Sequence, residues 1–399
     1  MRYAGALSIL LLTAGGGIAA QQPVTREAAI DAAEARGARL ALARTDTAVS
    51  AAELAAARTI ENPAASASYS KSTPQYHASL DVPLDFLWVR GPRAAAARLA
   101  LVSARYRLAF ERAAARFDAD TAYTRALAAD AHARLSRRNA QDADSLLRIA
   151  TIRRDAGDAS NLDVQLATVS AGQAANAATD DSLAAITARL DLQAIMGLPA
   201  DRVTIVPVDS LGLPPPEPAA DSGTALAVAA SEAALASRET GVGAARRGVF
   251  AAPSVTVGFE TGDPSGTETG ILPLVGFSIP LPLFNQNGAA IALALANRDR
   301  ARAELDLARR ESGAARARAL RQQTTAFSRA LRDRELLGSA EQVAAMSLTA
   351  YAEGAVPLAS VIEARRTARE AVGQYVDDLV AANDAAAAVR LFTLTVPAR

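Results

Sequence analysis

Residues 276–288 read GFSIPLPLFNQNG and join two different sequence patterns. Before this stretch, apolar and polar residues alternate with the period of two that is typical of a β-strand. After it, residues 289–353 contain no proline, and Gly313 and Gly338 are the only glycines among them. This run predicts a very long helix that begins directly after a strand.

The same plan occurs earlier in the chain at a constant spacing. Pro83 and Gly157 lie 197 positions before Pro280 and Gly354, and their surroundings are similar. A constant register over this distance predicts one supersecondary unit that is used twice. Each unit is expected to contain two short strands, a very long helix, a tight turn and a second long helix.

Further elements follow from periodicity and from breakers. A helix is predicted over residues 25–59, because Asn62-Pro63 ends the apolar pattern there. Strands are predicted at 76–82, 254–260 and 275–281, where the residues alternate. In residues 92–156, Pro92 at the first position is the only proline and there is no glycine. A helix of that length measures roughly 97 Å. Steps of four and three predict a coiled-coil seam in the last helix, formed by Ala368, Val372, Tyr375, Leu379, Ala382, Ala386 and Val389.

Composition excludes some classes of protein. The 399 residues include 42 basic and 42 acidic side chains, so no basic excess favours nucleic acid as a partner. Half of the residues are apolar but only 4% are aromatic, which favours closely packed helices. The chain has no cysteine, so it has neither disulfides nor a cysteine to carry a lipid.

The chain is expected to divide into four parts. Residues 1–20 have the charge, apolar stretch and small residues of a secretory signal peptide. Residues 21–198 form the first repeat, 199–223 a proline-rich connector, and 224–399 the second repeat. A short strand at 203–206 is predicted within the connector, which is expected to lie against the outside of the helices.

The four alternating strands have one apolar face and one polar face. If a helix covers the apolar face, the protein is a soluble α+β domain. If lipid covers it, the sheet must close into a barrel, since unpaired edges are not tolerated in hydrocarbon. Four strands are too few for a barrel, so several copies of the chain would have to complete it. Tyr76, Phe86, Trp88 and Phe284 fall near strand ends, where interfacial aromatic residues occur in such barrels.

The stretch 276–288 closely resembles the strand-to-helix signature of the TolC family of outer-membrane efflux proteins, and its PLPLF form is most like the heavy-metal branch. Residues 62–69 look like the first strand of that family, and 156–164 and 353–365 are similar to its two hairpin tips. Two features depart from the pattern. The chain lacks the lipidated cysteine of many metal-branch members, and the first-half signature is replaced by Asp85-Phe86-Leu87-Trp88-Val89-Arg90.

The resemblance implies an α+β membrane protein that forms a homotrimer. Four strands per chain would build a twelve-stranded transmembrane β-barrel in the outer membrane, continued by an α-helical coiled-coil tunnel in the periplasm. Such proteins are passive exit ducts. They dock to a periplasmic adaptor protein and to an inner-membrane pump, here expected to be of the RND type.

The two tight turns are the candidate functional site. The first comprises Arg153, Arg154, Asp155, Gly157, Asp158, Ser160 and Asp163, and the second comprises Tyr351, Glu353, Gly354, Pro357 and Ser360. The turns are expected to dock the adaptor, with Arg153, Arg154 or Asp155 closing the tunnel through ion pairs. The alternative is that they only reverse the chain, as every helical hairpin requires. Glycine permits the reversal, and Ser160 is expected to cap the following helix.

Neither a catalytic nor a metal site is predicted. His77 and His132 are the only histidines, and no soft-metal ligand set is available without cysteine. The acid pairs Asp180-Asp181 and Asp377-Asp378 lie on predicted helices, where they are expected to be solvated. Adjacent residues do not share a helical face, so neither pair suggests acid/base catalysis. We therefore predict no enzyme activity and no cofactor.

Two functions remain open at this point. One is the exit duct of a tripartite efflux system, with metal cations, small organic toxins or secreted polypeptides as its cargo. The other is a periplasmic coiled-coil scaffold that transports nothing and covers a small soluble sheet with its own helices.

Overall fold

The structure is a computed structural model that describes residues 22–215, 223–250, 253–266 and 270–396. The predicted signal peptide, 1–20, lies outside these residues. The helices are α1 (Arg26–Arg36), α2 (Ala38–Arg58), α3 (Arg90–Asp155), α4 (Asn161–Ile195), α5 (Leu226–Arg247), α6 (Gly288–Ala352) and α7 (Leu358–Thr393). The strands are β1 (Gln22–Val24), β2 (Ala64–Tyr69), β3 (Tyr76–Pro83), β4 (Ile205–Pro207), β5 (Thr224–Ala225), β6 (Ser254–Thr261), β7 (Leu272–Ser278) and β8 (Thr395–Val396).

The two very long helices are confirmed. The predicted runs 92–156 and 289–353 correspond to α3, of 66 residues, and α6, of 65 residues. α6 continues without a break through Gly313 and Gly338, whose cost of roughly 1 kcal/mol each does not end a helix of this length. The coiled-coil seam of α7 is also confirmed as one face, because all seven of its residues are buried or half-buried.

The prediction of one helix over residues 25–59 was wrong, because α1 and α2 are separate. Gly37 lies between them with an extended backbone, φ −59° and ψ 129°. A Cβ atom added at Gly37 would lie 2.4 Å from the carbonyl oxygen of Ala33, so only glycine fits this close approach. This local contact with the last turn of α1 leaves the apolar pattern unchanged, so the pattern did not indicate the break.

Four strands form one antiparallel sheet in the order β2-β3-β6-β7. β3 and β6 belong to different predicted repeats and pair from Tyr76↔Thr261 to Pro83↔Ser254. The predicted strand 275–281 was wrong at its end, since β7 stops at Ser278. Pro280 and Pro282 have no N–H group and cannot extend the ladder.

The sheet has the two faces that its alternation predicts. One face carries Ser66, His77, Ser79, Asp81 and Glu260. The other carries Leu80, Val257, Phe259, Val275 and Phe277, all of which are exposed, Val275 to 77%. An apolar face that stays exposed in the single chain requires an explanation outside that chain.

The described part of the connector around β4 packs into a hydrophobic core. β4 pairs in parallel with β1, and it begins two residues later and ends one residue later than the strand predicted at 203–206. Ile205 is buried in a cluster with Leu192 of α4 and Tyr123 of α3, so this segment packs against helices. The buried side-chain amide of Gln193 donates to the carbonyl oxygens of Pro199 (2.7 Å) and Arg202 (3.0 Å), which fixes the chain before β4.

The chain divides into two compact units. One contains the described residues up to Ala32, Ala122–Gly212 and Glu335–Val380, with cores around Tyr123 and around Tyr351. The other contains Ala33–Thr121, Leu213–Arg334 and the described residues from Ala381 onward, including the four-stranded sheet. Each unit takes segments from both predicted repeats, and the duplication of the chain stays a prediction.

Candidate functional site

Both hairpin tips close with the same backbone motif. At the end of α3, the amide of Asp158 donates to the carbonyl of Arg153 (2.8 Å), and Gly157 has φ +87°. At the end of α6, the amide of Ala355 donates to the carbonyl of Ala350 (2.8 Å), and Gly354 has φ +74°. These are Schellman caps, in which glycine takes the left-handed conformation without steric cost.

Ser160 begins α4 with a reciprocal cap, as predicted. Its hydroxyl accepts a hydrogen bond from the amide of Asp163 (3.2 Å), and the Asp163 carboxylate accepts from the amide of Ser160 (3.0 Å). This capping box satisfies two amides that have no partner inside the helix, and the Asp163 charge also favours the positive end of the helix dipole.

Substitution of Ser160 by alanine is expected to destabilise the first turn of α4 by about 1 kcal/mol, because one amide loses its acceptor. Hydrogen exchange at the amides of residues 161–164 should become roughly fivefold faster. Ser182→Ala is the matched control, since the Ser182 hydroxyl only donates to the carbonyl of Ala178 within α4. Equal exchange rates in both variants would contradict the capping role.

The structure brings the two tips together through Arg153 and Tyr351, which are 198 positions apart. The Arg153 guanidinium donates to the backbone carbonyl of Tyr351 (2.6 Å) and lies over its ring at 4.6 Å from the centroid. Tyr351 is only 4% exposed and packs with Leu146, Leu358 and Val361. A charge-assisted hydrogen bond and a cation–π contact therefore join the end of α3 to the end of α6.

Burial raises the pKa of the Tyr351 hydroxyl above its ordinary value of 10.0. The positive charge of Arg153 opposes this effect, and the negative charge of Asp163 adds to it. Because the folded state favours the neutral phenol, it binds the proton more tightly than the unfolded chain does.

The stability contribution of neutral Tyr351 is expected to be fully present below pH 10 and to be lost as the pH rises above that value. Denaturant unfolding of the wild type and of Tyr351→Phe, measured at pH 8 and at pH 11, checks this prediction. The wild type should lose more stability than the variant between the two pH values. An identical loss in both proteins would contradict it.

The other predicted tip residues are mostly exposed to solvent. Arg154 pairs with its sequence neighbour Asp155 (2.6 Å), and this pair is substantially exposed to solvent. Among the remaining predicted residues, Gly157, Asp158, Glu353, Gly354, Pro357 and Ser360 are exposed. Their polar surface is accessible to a partner, whereas Arg153 and Tyr351 join the two turns.

Sequence reasoning missed two apolar side chains at the first tip. Ile152 and Leu162 are strongly exposed on either side of the turn. The sequence contains a signal for them, because both are large apolar residues that flank a turn made mostly of polar residues. Exposed apolar residues that flank an exposed polar turn are typical of a protein contact surface.

A cavity of about 660 Å³ is formed by α3, α4 and α7 above the tips. Leu166 and Val169 supply apolar surface, while Arg366 and Arg369 supply positive charge. Burial lowers the pKa of the Arg369 guanidinium. Arg366 is balanced by Glu363 (2.7 Å) and Glu370 (3.0 Å), so charges of both signs line this groove.

The two histidines each face a carboxylate. His77 Nδ1 lies 3.0 Å from Glu260 in the sheet, and His132 Nε2 lies 3.0 Å from Asp377. In the part of the chain that the structure describes, no three residues of the metal-ligating types are grouped to hold an ion. The expectation that both acid pairs are solvated was wrong for Asp378, which is buried and accepts a hydrogen bond from Gln374 (3.3 Å).

No helix among the described residues has both the length and the apolar character to cross a membrane. No protein-family model matches this sequence, and no curated protein matches it significantly. Solved structures, in contrast, match almost the whole chain.

Three of these structures illustrate the match. A membrane protein from Pseudomonas aeruginosa is 19% identical with a TM-score of 0.77, over 92% of this chain and 93% of the other. The CmeC outer membrane channel from Campylobacter jejuni is 16% identical with a TM-score of 0.79, over 92% and 85%. CusC, described in terms of transmembrane channel formation, is 16% identical with a TM-score of 0.77, over 93% and 92%.

Identities this low establish the fold and nothing finer. The three proteins are described as a membrane protein, an outer membrane channel and a protein that forms a transmembrane channel. The single chain has the fold of these three proteins, which agrees with the fold that its resemblance to the TolC family predicted.

Proposed function

We propose that this protein is the outer-membrane exit duct of a tripartite efflux system. The observation that carries the proposal is the exposed apolar face of the four-stranded sheet, together with its two open edges, β2 and β7. The scaffold alternative requires the helices of the chain to cover that face. The exposure of Val257, Val275 and Phe277 counts against it.

The open edges support a trimer. A sheet in hydrocarbon must leave no unpaired edge, and four strands cannot close by themselves. In a threefold ring, β7 of each chain pairs with β2 of the next, which gives a twelve-stranded barrel with Leu80, Val257 and Val275 toward lipid. Cyclic symmetry supplies this closure with identical contacts.

The polar face of the sheet then lines water. Thr256 donates a hydrogen bond to the Asp81 carboxylate, and His77 contacts Glu260 across the β3–β6 pair. These contacts satisfy the polar groups within the wall. Transport through such a lumen is passive, so the energy and the substrate choice come from an inner-membrane pump of the RND type.

The long helices carry the duct into the periplasm, and the tips dock a periplasmic adaptor protein. The exposed polar residues of both turns and the apolar pair Ile152 and Leu162 support this role. Arg153, which joins the two turns, is the residue that holds the tunnel end closed.

Two experiments test the function. Cell fractionation should recover the protein in the outer membrane, from which only detergent releases it, as a trimer. Release by buffer alone, as a monomer, would support the scaffold instead. A deletion strain tested against divalent metals and organic toxins then assigns the cargo, and unchanged tolerance to every compound leaves polypeptide secretion.

A further inference from the structure

We propose that a cluster of arginines at the strand-to-helix junction binds anionic phospholipid headgroups in the periplasmic leaflet of the outer membrane. This inference rests on the proposed function, because it requires the sheet to lie in a bilayer. The junction arginines are Arg58, Arg90, Arg93, Arg246 and Arg247.

The junction arginines gather at one end of the sheet. The register places the first residue of β2, the last of β3, the first of β6 and the last of β7 at this end. Arg90 Nε donates to the carbonyl of Arg58 (2.7 Å), Arg93 Nε donates to that of Ala57 (3.3 Å), and Arg247 donates to that of Trp88 (3.4 Å). Hence the end of α2, the start of α3 and the end of α5 meet here.

Among the residues that the structure describes, Arg93 is the only junction arginine that forms an ion pair with an acid. Buried Asp85 accepts a hydrogen bond from Arg93 (3.2 Å). The contacts that the structure describes for Arg90 and Arg247 are with backbone carbonyls, which carry no net charge. Arg58, Arg246 and Arg247 are exposed.

The charge is also confined to this end. The strands β2, β3, β6 and β7 contain no lysine or arginine, and the turn between β2 and β3 at the other end has Lys71 as its only basic residue. A basic band at one rim of a lipid-facing sheet meets one leaflet only. Because helices continue from this rim, that leaflet is the periplasmic one.

Exposed apolar side chains adjoin the arginines. Phe86 and Leu87 precede α3, while Leu281, Leu283 and Phe284 precede α6, and Phe284 is fully exposed. Apolar groups that enter the acyl region beside cations at headgroup level are typical of a membrane interface. Arginine suits the phosphate because its guanidinium can donate two parallel hydrogen bonds.

The chain contains a reporter for this contact. Trp88 is the only tryptophan, and its carbonyl accepts from Arg247 at the junction. The full-length protein is reconstituted in phosphatidylcholine vesicles that hold brominated phosphatidylglycerol or, separately, brominated phosphatidylcholine. Bromine quenches the fluorescence of a nearby tryptophan, so the ratio of the two quenching curves gives the lipid preference around Trp88.

Phosphatidylglycerol should quench Trp88 more strongly than phosphatidylcholine does, and raising the salt concentration should reduce this preference. In Arg58→Gln/Arg246→Gln/Arg247→Gln the preference should fall by roughly fivefold for each arginine removed. The corresponding lysine variant should keep most of it. Arg134→Gln/Arg138→Gln is the matched control, because these exposed arginines lie on α3 in the other compact unit.

The failures of the two proposals are distinguishable. If the protein conducts in neutral lipid and both lipids quench Trp88 equally, the proposed exit duct stands and the proposed lipid site is overturned. No insertion and no quenching would overturn both. An unchanged lipid preference in the triple variant, accompanied by loss of the trimer, would overturn the lipid site by assigning the arginines to contacts between copies.

Discussion

Val257→Arg is expected to lower the amount of trimer in the outer membrane at least tenfold. Val257 lies at the centre of the sheet, paired with Leu80 and Val275, and its side chain belongs to the exposed apolar face. An arginine at the middle of a lipid-facing strand costs roughly 2–4 kcal/mol, and a trimer carries three copies of the substitution. Membrane fractions separated by density and probed for detergent-resistant trimer measure the effect.

Ser79→Arg provides the matched control for this prediction. Ser79 precedes Leu80 in β3 and lies on the polar face, where its hydroxyl is 2.8 Å from that of Ser66. An arginine there faces water in the proposed barrel, so trimer should persist while the single-channel conductance changes. If both variants assembled equally well, the apolar face would not contact lipid.

Arg153→Glu is expected to separate the two hairpin tips and to raise the single-channel conductance severalfold. The substitution removes the hydrogen bond to the Tyr351 carbonyl and the contact with its ring. Together these are worth about 2–4 kcal/mol, taking roughly 1.5–3 for a charged hydrogen bond and 0.5–1 for a cation–π contact made by a half-buried arginine. The new carboxylate also adds a negative charge near Asp158 and Asp163. Planar-bilayer recordings measure the effect on conductance, and cross-linking to the adaptor measures the effect on docking.

Arg154→Glu tests whether the conductance depends on the position of the substituted arginine or only on the net charge of the tip. Arg154 has the same charge as Arg153, but it pairs with exposed Asp155 beside it, and exposed pairs of this kind contribute little. Its conductance should stay near that of the wild type. Equal effects from both variants would show that the net charge of the tip acts, and the contact with Tyr351 would then have no gating role.

The sheet and the tips depend on different kinds of information in the sequence. Alternation in β3, β6 and β7 gave the faces of each strand, because side chains on a strand must point to opposite sides. The glycines at 157 and 354 gave the positions of both reversals, since a left-handed residue is needed there. Neither signal states which strand pairs with which, or which turn meets which.

The sequence by itself determined the long helices, both turns, the Ser160 cap and the two-faced strands, because each depends on residues within a few positions of one another. Only the tertiary structure decided that β3 pairs with β6, that Arg153 meets Tyr351 and that Ile205 is buried. These contacts arise from packing between distant segments, and hydrophobic burial has no direction that a local pattern could record.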